Sequence, residues 1–294
     1  MSHPDVPLVS IVTPSFNQGR FIRRTIDSVL SQDYPRIEYV VIDGGSTDET
    51  IDVLRSYGSR LEWVSEKDRG QSHAINKGLS RTKGAIVAYL NSDDTLAPGA
   101  VATAARHFQE HPDWDLIYGE GEYIDEEDKA LGLYPTHDFA LARLKQYCFI
   151  CQPAAFWRRS ITDRVGPFNE TLHCCLDYEY WLRLALTGGK LVRVPETLAQ
   201  SRTYPSTKTV ALREKVYRET IAIQRDLLGF VELGPFYGLW RHRCRTSWLS
   251  FTSPALATLH YLGHNAPRAY PWRTLAGLWR GIARMVTPRQ SRVA

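Results

Sequence analysis

The stretch from Ala85 to Asp94 constrains the fold more than any other part of this chain. Ala85 to Leu90 is a short, mostly apolar run, and it stops at Asn91-Ser-Asp-Asp94, where two carboxylates are adjacent. Such a run is typical of a strand buried on both faces of a parallel sheet. The acids would then lie at the carboxyl end of the strand, where open α/β sheets bind their ligands. Taken alone, the same residues also fit an Asx-rich turn that caps the next helix.

The preceding segments repeat the alternation of strand and helix. Strands are predicted at 8–13, 37–42 and 61–65, and helices at Phe21–Gln32, after a capping box at Ser46–Glu49, and at about Gln71–Ser80. This β-α-β-α-β-α-β order predicts a parallel, doubly wound sheet. Further along, strands are predicted at 115–118, 121–124, 131–134, 191–194 and 197–202, and helices at 100–108 and 214–228.

The predicted strand ends carry carboxylates instead of a phosphate-binding glycine loop. No G-x-G-x-x-G follows the first strand, and there is no Walker A sequence. Thr13, Asp43, Asp68 and Asp93 stand at successive strand ends, so this cleft needs a divalent cation before it can hold a phosphate. Hard oxygen ligands suit Mg²⁺ or Mn²⁺. Asp43 can accept hydrogen bonds from a base or a ribose, or it can cap a helix.

Four motifs carry a resemblance to a known family. Thr13-Pro-Ser-Phe-Asn17, Ile42-Asp-Gly-Gly-Ser-Thr-Asp48, Asp68-Arg-Gly-Gln71 and Leu90-Asn-Ser-Asp-Asp94 resemble family-two glycosyltransferases of the GT-A fold. The similarity recurs in order through about Lys208. It implies an α/β fold with a mostly parallel, Rossmann-like sheet flanked by helices. It also implies a GT-A domain over 1–232, divided into a nucleotide-binding half (1–95) and an acceptor half (96–232).

The resemblance implies roles for particular residues. Asp93 corresponds to the metal-binding second Asp of the family's D-x-D motif, whereas Asn91 replaces the first Asp and is expected to contact nucleotide or water. Asp43 is expected to contact the base, and Asp68 to help bind the nucleotide. The other residues expected at the nucleotide or donor are Thr13, Pro14, Ser15, Asn17, Gln71, Asn76, Ser92 and Gln152.

The second half of the chain supplies the expected base and the expected diphosphate contacts. Asp177, near the start of a predicted helix, aligns with the acid that removes the acceptor hydroxyl proton; as an alternative it is only a helix cap. Glu179 is expected to point elsewhere, as a surface group or as a group that supports the site from behind. Tyr204 stands where family members often carry His, so Arg202 and Lys208 are expected to contact the diphosphate.

The five cysteines do not indicate a disulfide framework. Cys148 and Cys151 have C-x-x-C spacing, but Cys174 and Cys175 are adjacent and cannot form the usual second zinc knuckle. Buried thiols are therefore favoured over a zinc or redox site.

Charge and hydropathy bear on location. The sequence shows no secretory signal and no run of about 18 apolar residues, so a cytoplasmic protein without a transmembrane helix is predicted. From Phe236 to the end there are nine Arg, four Trp and no Lys, Asp or Glu. We therefore predict that 233–294 is a helical extension that binds anionic lipid on the inner face of the cell membrane. Helices packed on the catalytic domain are the alternative, and no nucleic-acid module is recognised.

These observations predict an inverting, metal-dependent glycosyltransferase. The donor is expected to be a nucleotide-diphosphate sugar, with UDP-sugar favoured, and the acceptor a saccharide or lipid-linked saccharide in surface polysaccharide synthesis. A sugar nucleotidyltransferase is one alternative, although Thr13 to Arg20 does not resemble its Gly-rich, Arg-containing loop. A non-catalytic glycan- or lipid-binding subunit is the other, because Asn91 and Tyr204 replace expected groups.

Overall fold

A computed structural model describes residues 6–246 of the chain, with side chains through 243. These residues form two compact units. The first contains the sheet, and the second begins at Ser206 and also includes Lys145–Tyr147.

The first unit alternates strands and helices. Its strands are β1 (Val9–Ser15), β2 (Ile37–Asp43), β3 (Glu62–Ser65), β4 (Ile86–Tyr89), β5 (Thr95–Leu96), β6 (Leu116–Ile124), β7 (Ala130–Leu133), β8 (Ala155–Arg158) and β9 (Leu191–Arg202). Its helices are α1 (Gly19–Leu30), α2 (Thr50–Ser56), α3 (Gln71–Arg81), α4 (Ala100–Glu110), α5 (Leu141–Leu144), α6 (Arg159–Val165) and α7 (Leu176–Leu186).

All nine strands belong to one mixed sheet in the order β3-β2-β1-β4-β8-β6-β9-β5, with β7 paired to β6. Strands β3, β2, β1 and β4 are parallel, as predicted, because a helix connects each to the next. Beyond β4 the sheet becomes mixed, since β8 is antiparallel to both β4 and β6. The expected α/β class is confirmed.

Helices cover both faces of the parallel strands. Val9 and Ile11 of β1 belong to a buried cluster with Ile26 of α1 and Phe108 of α4. Val12 points to the opposite face, since side chains alternate along a strand. There α3 approaches so closely that a Cβ added to Gly78 would lie 2.3 Å from Val12 Cγ1.

The structure differs from the sequence prediction at several elements. The capping box at Ser46 is wrong: α2 starts at Thr50, and Ser46 Oγ donates instead to Asp43 Oδ1 at 2.5 Å. The segments 115–118 and 121–124 form the single strand β6, and 191–202 forms the single strand β9. Strands β5 and β8 were not predicted.

The second unit contains α8 (Lys208–Ala211), α9 (Arg213–Leu228) and α10 (Leu233–Thr246). Phe236 and Leu239 of α10 are buried with Ile221 of α9 and Val231. The first residues of the basic extension thus pack on a helix of their own unit, and whether the extension binds lipid stays a prediction. The extension beyond 246 lies outside the described residues. No helix within 6–246 combines the length and apolar character required to cross a membrane.

Candidate active site

The carboxyl ends of β1, β2 and β3 align Ser15, Asp43 and Ser65 in one row. Asp43 is fully buried, and its carboxylate accepts hydrogen bonds from Gly45 N, Ser46 N and Ser46 Oγ at 3.0, 2.9 and 2.5 Å. Ser65 Oγ donates a further bond at 2.7 Å. Asp43 therefore organises the loop after β2, and a contact with a base would have to replace one of these donors.

The loops after β1 and β2 are joined by Asn17. Its backbone N–H donates to Ser46 Oγ at 2.7 Å, and its Oδ1 accepts from Thr47 N at 2.8 Å. Asn17 has a φ of 51°, a left-handed conformation that Asn tolerates better than most residues. The predicted residue Asn17 thus fixes the rim of the cleft through both its backbone and its side chain.

The predicted residues of β1 differ in what they can offer a ligand. Thr13 and Pro14 are buried, and Thr13 Oγ1 lies 3.1 Å from the Tyr39 hydroxyl, so Thr13 already has a polar partner. Ser15 Oγ is also buried but has no hydrogen-bond partner among the described residues. The next side chain, Phe16, is 60% exposed. Phe16 was not predicted as a site residue, although an aromatic residue among polar groups at a strand end is a signal for ligand contact.

Asn91 is the centre of an amide network beneath the cleft. Its Oδ1 accepts from Gln71 Nε2 at 2.6 Å, and its Nδ2 donates to Gln152 Oε1 at 3.0 Å and to Asp94 Oδ2 at 3.1 Å. Gln152 Nε2 in turn donates to the backbone oxygen of Tyr89 at 2.8 Å. An Asp at position 91 could not donate either of the two Nδ2 bonds. The network explains why the departure from the D-x-D pattern is compatible with a well-formed site.

The two adjacent acids have different environments. Asp94 is 3% exposed, and burial, followed by the charge of Asp93, raises the pKa of its carboxyl to about 8. Asp93 is half-buried, and its Oδ2 accepts a hydrogen bond from the Tyr204 hydroxyl at 2.9 Å. Ser92 between them is buried. Of this pair, Asp93 is therefore the carboxylate suited to meet a cation, and Asp94 is a structural group.

Tyr204 is held in place by its ring as well as by its hydroxyl. The ring centroid lies 5.0 Å from that of Phe21, and Arg20 Cζ lies 5.4 Å from the Tyr204 centroid. Tyr204 thus fixes one oxygen of Asp93 from a position packed against α1.

The structure gives no support to the predicted contact between Arg202 and a diphosphate. The Arg202 side chain has no exposed surface, and its guanidinium donates to Asp93 O at 2.8 Å and to Asp125 O and Asp128 Oδ1 at 2.5 Å each. Its backbone N–H donates to Asp94 Oδ1 at 2.8 Å. Arg202 therefore ties the acidic loop to the β6–β7 turn and has no face left for a ligand.

Two further predicted residues organise loops around the cleft. Asp68 Oδ1 accepts from Gly70 N at 2.7 Å, and Asp68 Oδ2 lies so near Gly44 that a Cβ there would come within 2.8 Å. Asn76 pairs with the backbone of Phe168, donating through Nδ2 and accepting through Oδ1, each at 2.9 Å. The Asn76 side chain is thus committed to the 166–170 loop, which gives no support to a direct donor contact.

Asp177 lies in the first turn of α7, where it was predicted. Burial raises the pKa of its carboxyl to about 6, and the hydrogen bond from Tyr178 N at 2.8 Å opposes that rise. Burial, and then the charges of Asp177 and Asp94, raise the pKa of the Tyr89 hydroxyl. Both acids therefore lie within electrostatic reach of one buried phenol.

The remaining predicted groups are placed as follows. Glu179 is buried and paired with Arg183 at 2.8 Å, so it points away from the site but is not a surface group. Burial raises the pKa of the Cys148 and Cys151 thiols, which keeps them protonated and unlike zinc-bound thiolates. Lys208 is an exposed residue of α8 in the second unit, and its contact with a diphosphate stays a prediction.

Comparison with known proteins identifies the family. Residues 10–166 match the family described as Glycosyl transferase family 2, which is more than half of the chain. The chain belongs to glycosyltransferase family 2. The comparisons therefore support a glycosyltransferase and give no support to a nucleotidyltransferase.

Relatives from bacteria agree with this assignment. A PGL/p-HBAD biosynthesis glycosyltransferase of Mycobacterium tuberculosis is 31% identical over 182 residues, which cover 60% of this chain and 69% of that protein. Chondroitin synthase of Escherichia coli is 28% identical over 187 residues, which cover 62% of this chain. The matched region spans only 27% of that synthase and 31% of an uncharacterized glycosyltransferase of Rickettsia felis.

Solved structures share the fold. S. aureus TarS 1-349 in complex with UDP has a TM-score of 0.64 and 17% identity, covering 92% of this chain and 82% of that one. The mannosyltransferase PcManGT from Pyrobaculum calidifontis, in complex with GDP-Man and Mn²⁺, has a TM-score of 0.61 and 20% identity, covering 97% and 82%.

Proposed function

We propose that this family 2 enzyme is an inverting, metal-dependent transferase that moves a sugar from a nucleotide-diphosphate donor to a hydroxyl of a saccharide. The observation that carries the proposal is that two acids of the predicted site have different surroundings. Asp93 accepts a hydrogen bond from the Tyr204 hydroxyl, whereas Asp177, which is also half-buried, lies at the start of α7 and has a pKa that burial raises to about 6. Asp93 is therefore suited to bind a cation, and Asp177 is suited to accept a proton.

The residues around Asp93 fit Mg²⁺ or Mn²⁺. Magnesium is usually bound through one or two carboxylates together with substrate phosphates, so a single oriented carboxylate is enough. Asp94 is occupied by Arg202 N and Asn91 Nδ2, which leaves Asp93 as the residue that would hold the ion. When bound, the cation would supply positive charge for the leaving diphosphate.

Asp177 is proposed to act as the general base. A sugar hydroxyl is a weak nucleophile, and a carboxylate that takes its proton contributes about 10²–10⁴-fold to the rate. With its pKa near 6, Asp177 is ionised at neutral pH and still more basic than an ordinary Asp. A single displacement by the activated hydroxyl inverts the anomeric carbon and requires no covalent intermediate.

The donor is proposed to be a UDP-sugar. Phe16, exposed beside Ser15 and Asn17 at the carboxyl end of β1, offers a ring on which a base can stack. UDP is the nucleotide in the TarS complex, whereas PcManGT was solved with GDP-Man, so the choice between bases is part of the proposal. Asp43, Asp68 and Asn91 are proposed to shape this pocket mainly through the loops they hold.

The acceptor is proposed to be a saccharide or lipid-linked saccharide in the synthesis of a surface polysaccharide, met at the inner face of the cell membrane. The nine Arg of the extension favour anionic lipid. Cosedimentation of the full chain with vesicles containing anionic lipid should exceed that with neutral vesicles. Arg280→Gln combined with Arg284→Gln should reduce the difference; equal sedimentation with both vesicle types would contradict the membrane proposal.

Metal-dependent hydrolysis of the donor tests the chemistry without knowledge of the acceptor. The wild type should release UDP from a UDP-sugar in the presence of Mn²⁺ or Mg²⁺. Asp93→Ala should abolish this release, and Asp177→Asn should abolish it while UDP binding is retained. Asp52→Asn, at an exposed acid of α2, is the control and should behave as the wild type. Near-normal release by Asp177→Asn would remove Asp177 from the mechanism.

A further inference from the structure

Away from the candidate active site, three potential metal ligands come together at the end of α4. One ring nitrogen each from His107 and His111 and one carboxylate oxygen of Glu110 lie within 4.8 Å of one another. Within residues 6–246, this is the group of at least three His, Cys, Asp or Glu side chains whose ligand atoms come this close together. We propose that His107, Glu110 and His111 form a binding site for Zn²⁺ or a similar transition-metal ion, separate from the proposed Asp93 site.

The spacing of these residues favours chelation. Positions i and i+4 of a helix lie one above the other on the same face, and i+3 is their neighbour. His107 and Glu110 lie in the last turn of α4, and His111 is the residue that follows the helix. The backbone N–H of His111 still donates to the backbone oxygen of His107 at 3.0 Å, so the i, i+4 spacing of the two imidazoles persists across the helix end. Two His at i, i+4 are a known zinc-binding arrangement. The ligands need to approach one another only slightly to meet one ion.

The hydrogen bonding of His107 supports a ligand role. Its Nε2 lies 3.2 and 3.3 Å from the two carboxylate oxygens of Glu196, in the middle of β9. When Nε2–H donates to that carboxylate, Nδ1 carries the lone pair. His107 Nδ1 is buried and has no hydrogen-bond partner among the described residues. A His whose second nitrogen donates to a carboxylate is the usual form of a metal ligand.

The charges and packing around the cluster are compatible with a cation. Arg106 pairs with Glu110 at 3.2 Å and with Glu196 at 3.0 Å, so it balances the two acids without a metal. A bound ion would take Glu110 from Arg106 and leave Arg106 with Glu196. His111 is stacked on Trp114 at 3.8 Å between ring centroids, which limits its rotation. Loss of one exposed ion pair costs little compared with what metal coordination contributes.

The ligand chemistry distinguishes this site from the one at Asp93. Imidazole nitrogens suit Zn²⁺ and Ni²⁺, whereas oxygen-only sites suit Mg²⁺ and Mn²⁺. The consequence would be structural, since a metal on His107 would strengthen the link between α4 and β9 through Glu196. Zinc should therefore raise the melting temperature of the protein even when Mg²⁺ is present in excess.

Calorimetric titration of the chelator-treated full chain with Zn²⁺, in excess Mg²⁺, tests the proposal. The wild type should bind one equivalent, His111→Ala and Glu110→Gln should each lower the affinity by at least about tenfold, and Glu196→Gln by about 10- to 100-fold. His137→Ala, at an exposed histidine in the loop before α5, is the matched control and should bind as the wild type. Circular dichroism of each variant in chelator verifies the fold.

Two outcomes would overturn the inference. The first is a wild-type affinity for Zn²⁺ no higher than that of His111→Ala. The second is loss of zinc binding in Asp93→Ala but not in His111→Ala, which would assign the ion to the active-site acid.

Discussion

Replacing Tyr204 with Phe tests how this enzyme orients its proposed cation ligand. The change removes one hydroxyl, which donates to Asp93 Oδ2 at 2.9 Å, and keeps the ring that packs on Phe21 and Arg20. A hydrogen bond to a charged group is worth about 1.5–3 kcal/mol. Loss of a side chain that orients a metal ligand typically weakens metal binding by about 10- to 100-fold. The two estimates agree, because a tenfold loss of affinity corresponds to about 1.4 kcal/mol and a 100-fold loss to about twice that energy.

The assay is a Mn²⁺ titration followed by electron paramagnetic resonance, with and without UDP. Tyr204→Phe should bind Mn²⁺ about 10- to 100-fold more weakly than the wild type. Tyr34→Phe is the matched control, because its hydroxyl donates at 2.6 Å to the backbone oxygen of Pro7 and not to an acid. An unchanged or tighter affinity in Tyr204→Phe would refute the reasoning, since the hydroxyl would then compete with the ion for Asp93 instead of orienting it.

Three further predictions concern the base, the buried arginine and the exposed aromatic residue. Because burial raises the pKa of Asp177 to about 6, the rate of sugar transfer should fall tenfold per pH unit below 6 as the base becomes protonated; a flat profile from pH 5 to 7 would contradict this. Arg202→Met should lower the free energy of unfolding by about 2–3 kcal/mol in urea titrations, whereas Arg55→Met, in an exposed pair, should change it by less than about 1 kcal/mol. Phe16→Ala should weaken UDP binding, measured by calorimetry, by about 1–3 kcal/mol and leave the unfolding free energy within about 0.5 kcal/mol; unchanged UDP binding would exclude stacking.

The parallel half of the fold could be predicted from the sequence because each signal there is local. Apolar runs such as Ile37–Ile42 are short and end in polar residues, and an amphipathic helix separates them. The mixed half was harder to predict. Strand β8 spans only Ala155–Arg158, and its position between β4 and β6 depends on pairing with residues distant in the chain. Short sequence patterns do not indicate which distant strands will pair.

The candidate site shows the same difference between features set by local sequence and features set by distant contacts. The sequence predicted which residues lie near the strand ends, because strand ends can be located locally. It did not predict which polar groups are already satisfied by the protein. Arg202 has the charge expected of a diphosphate ligand, but its guanidinium is consumed by two backbone oxygens and Asp128. Asn76 is likewise paired with the Phe168 backbone. Hydrogen-bond partners distant in the chain decide these roles.

The buried guanidinium of Arg202 has a consequence for engineering this enzyme. It reaches the acidic segment through Asp93 O and the reverse turn of the neighbouring hairpin through Asp125 O and Asp128. Grafting a foreign turn between β6 and β7 would therefore alter the support of Asp93, even if no transplanted residue came near the donor. Libraries that diversify this turn should keep Asp128 and the backbone course at Asp125 fixed, and vary the exposed strand Ala130–Leu133 instead.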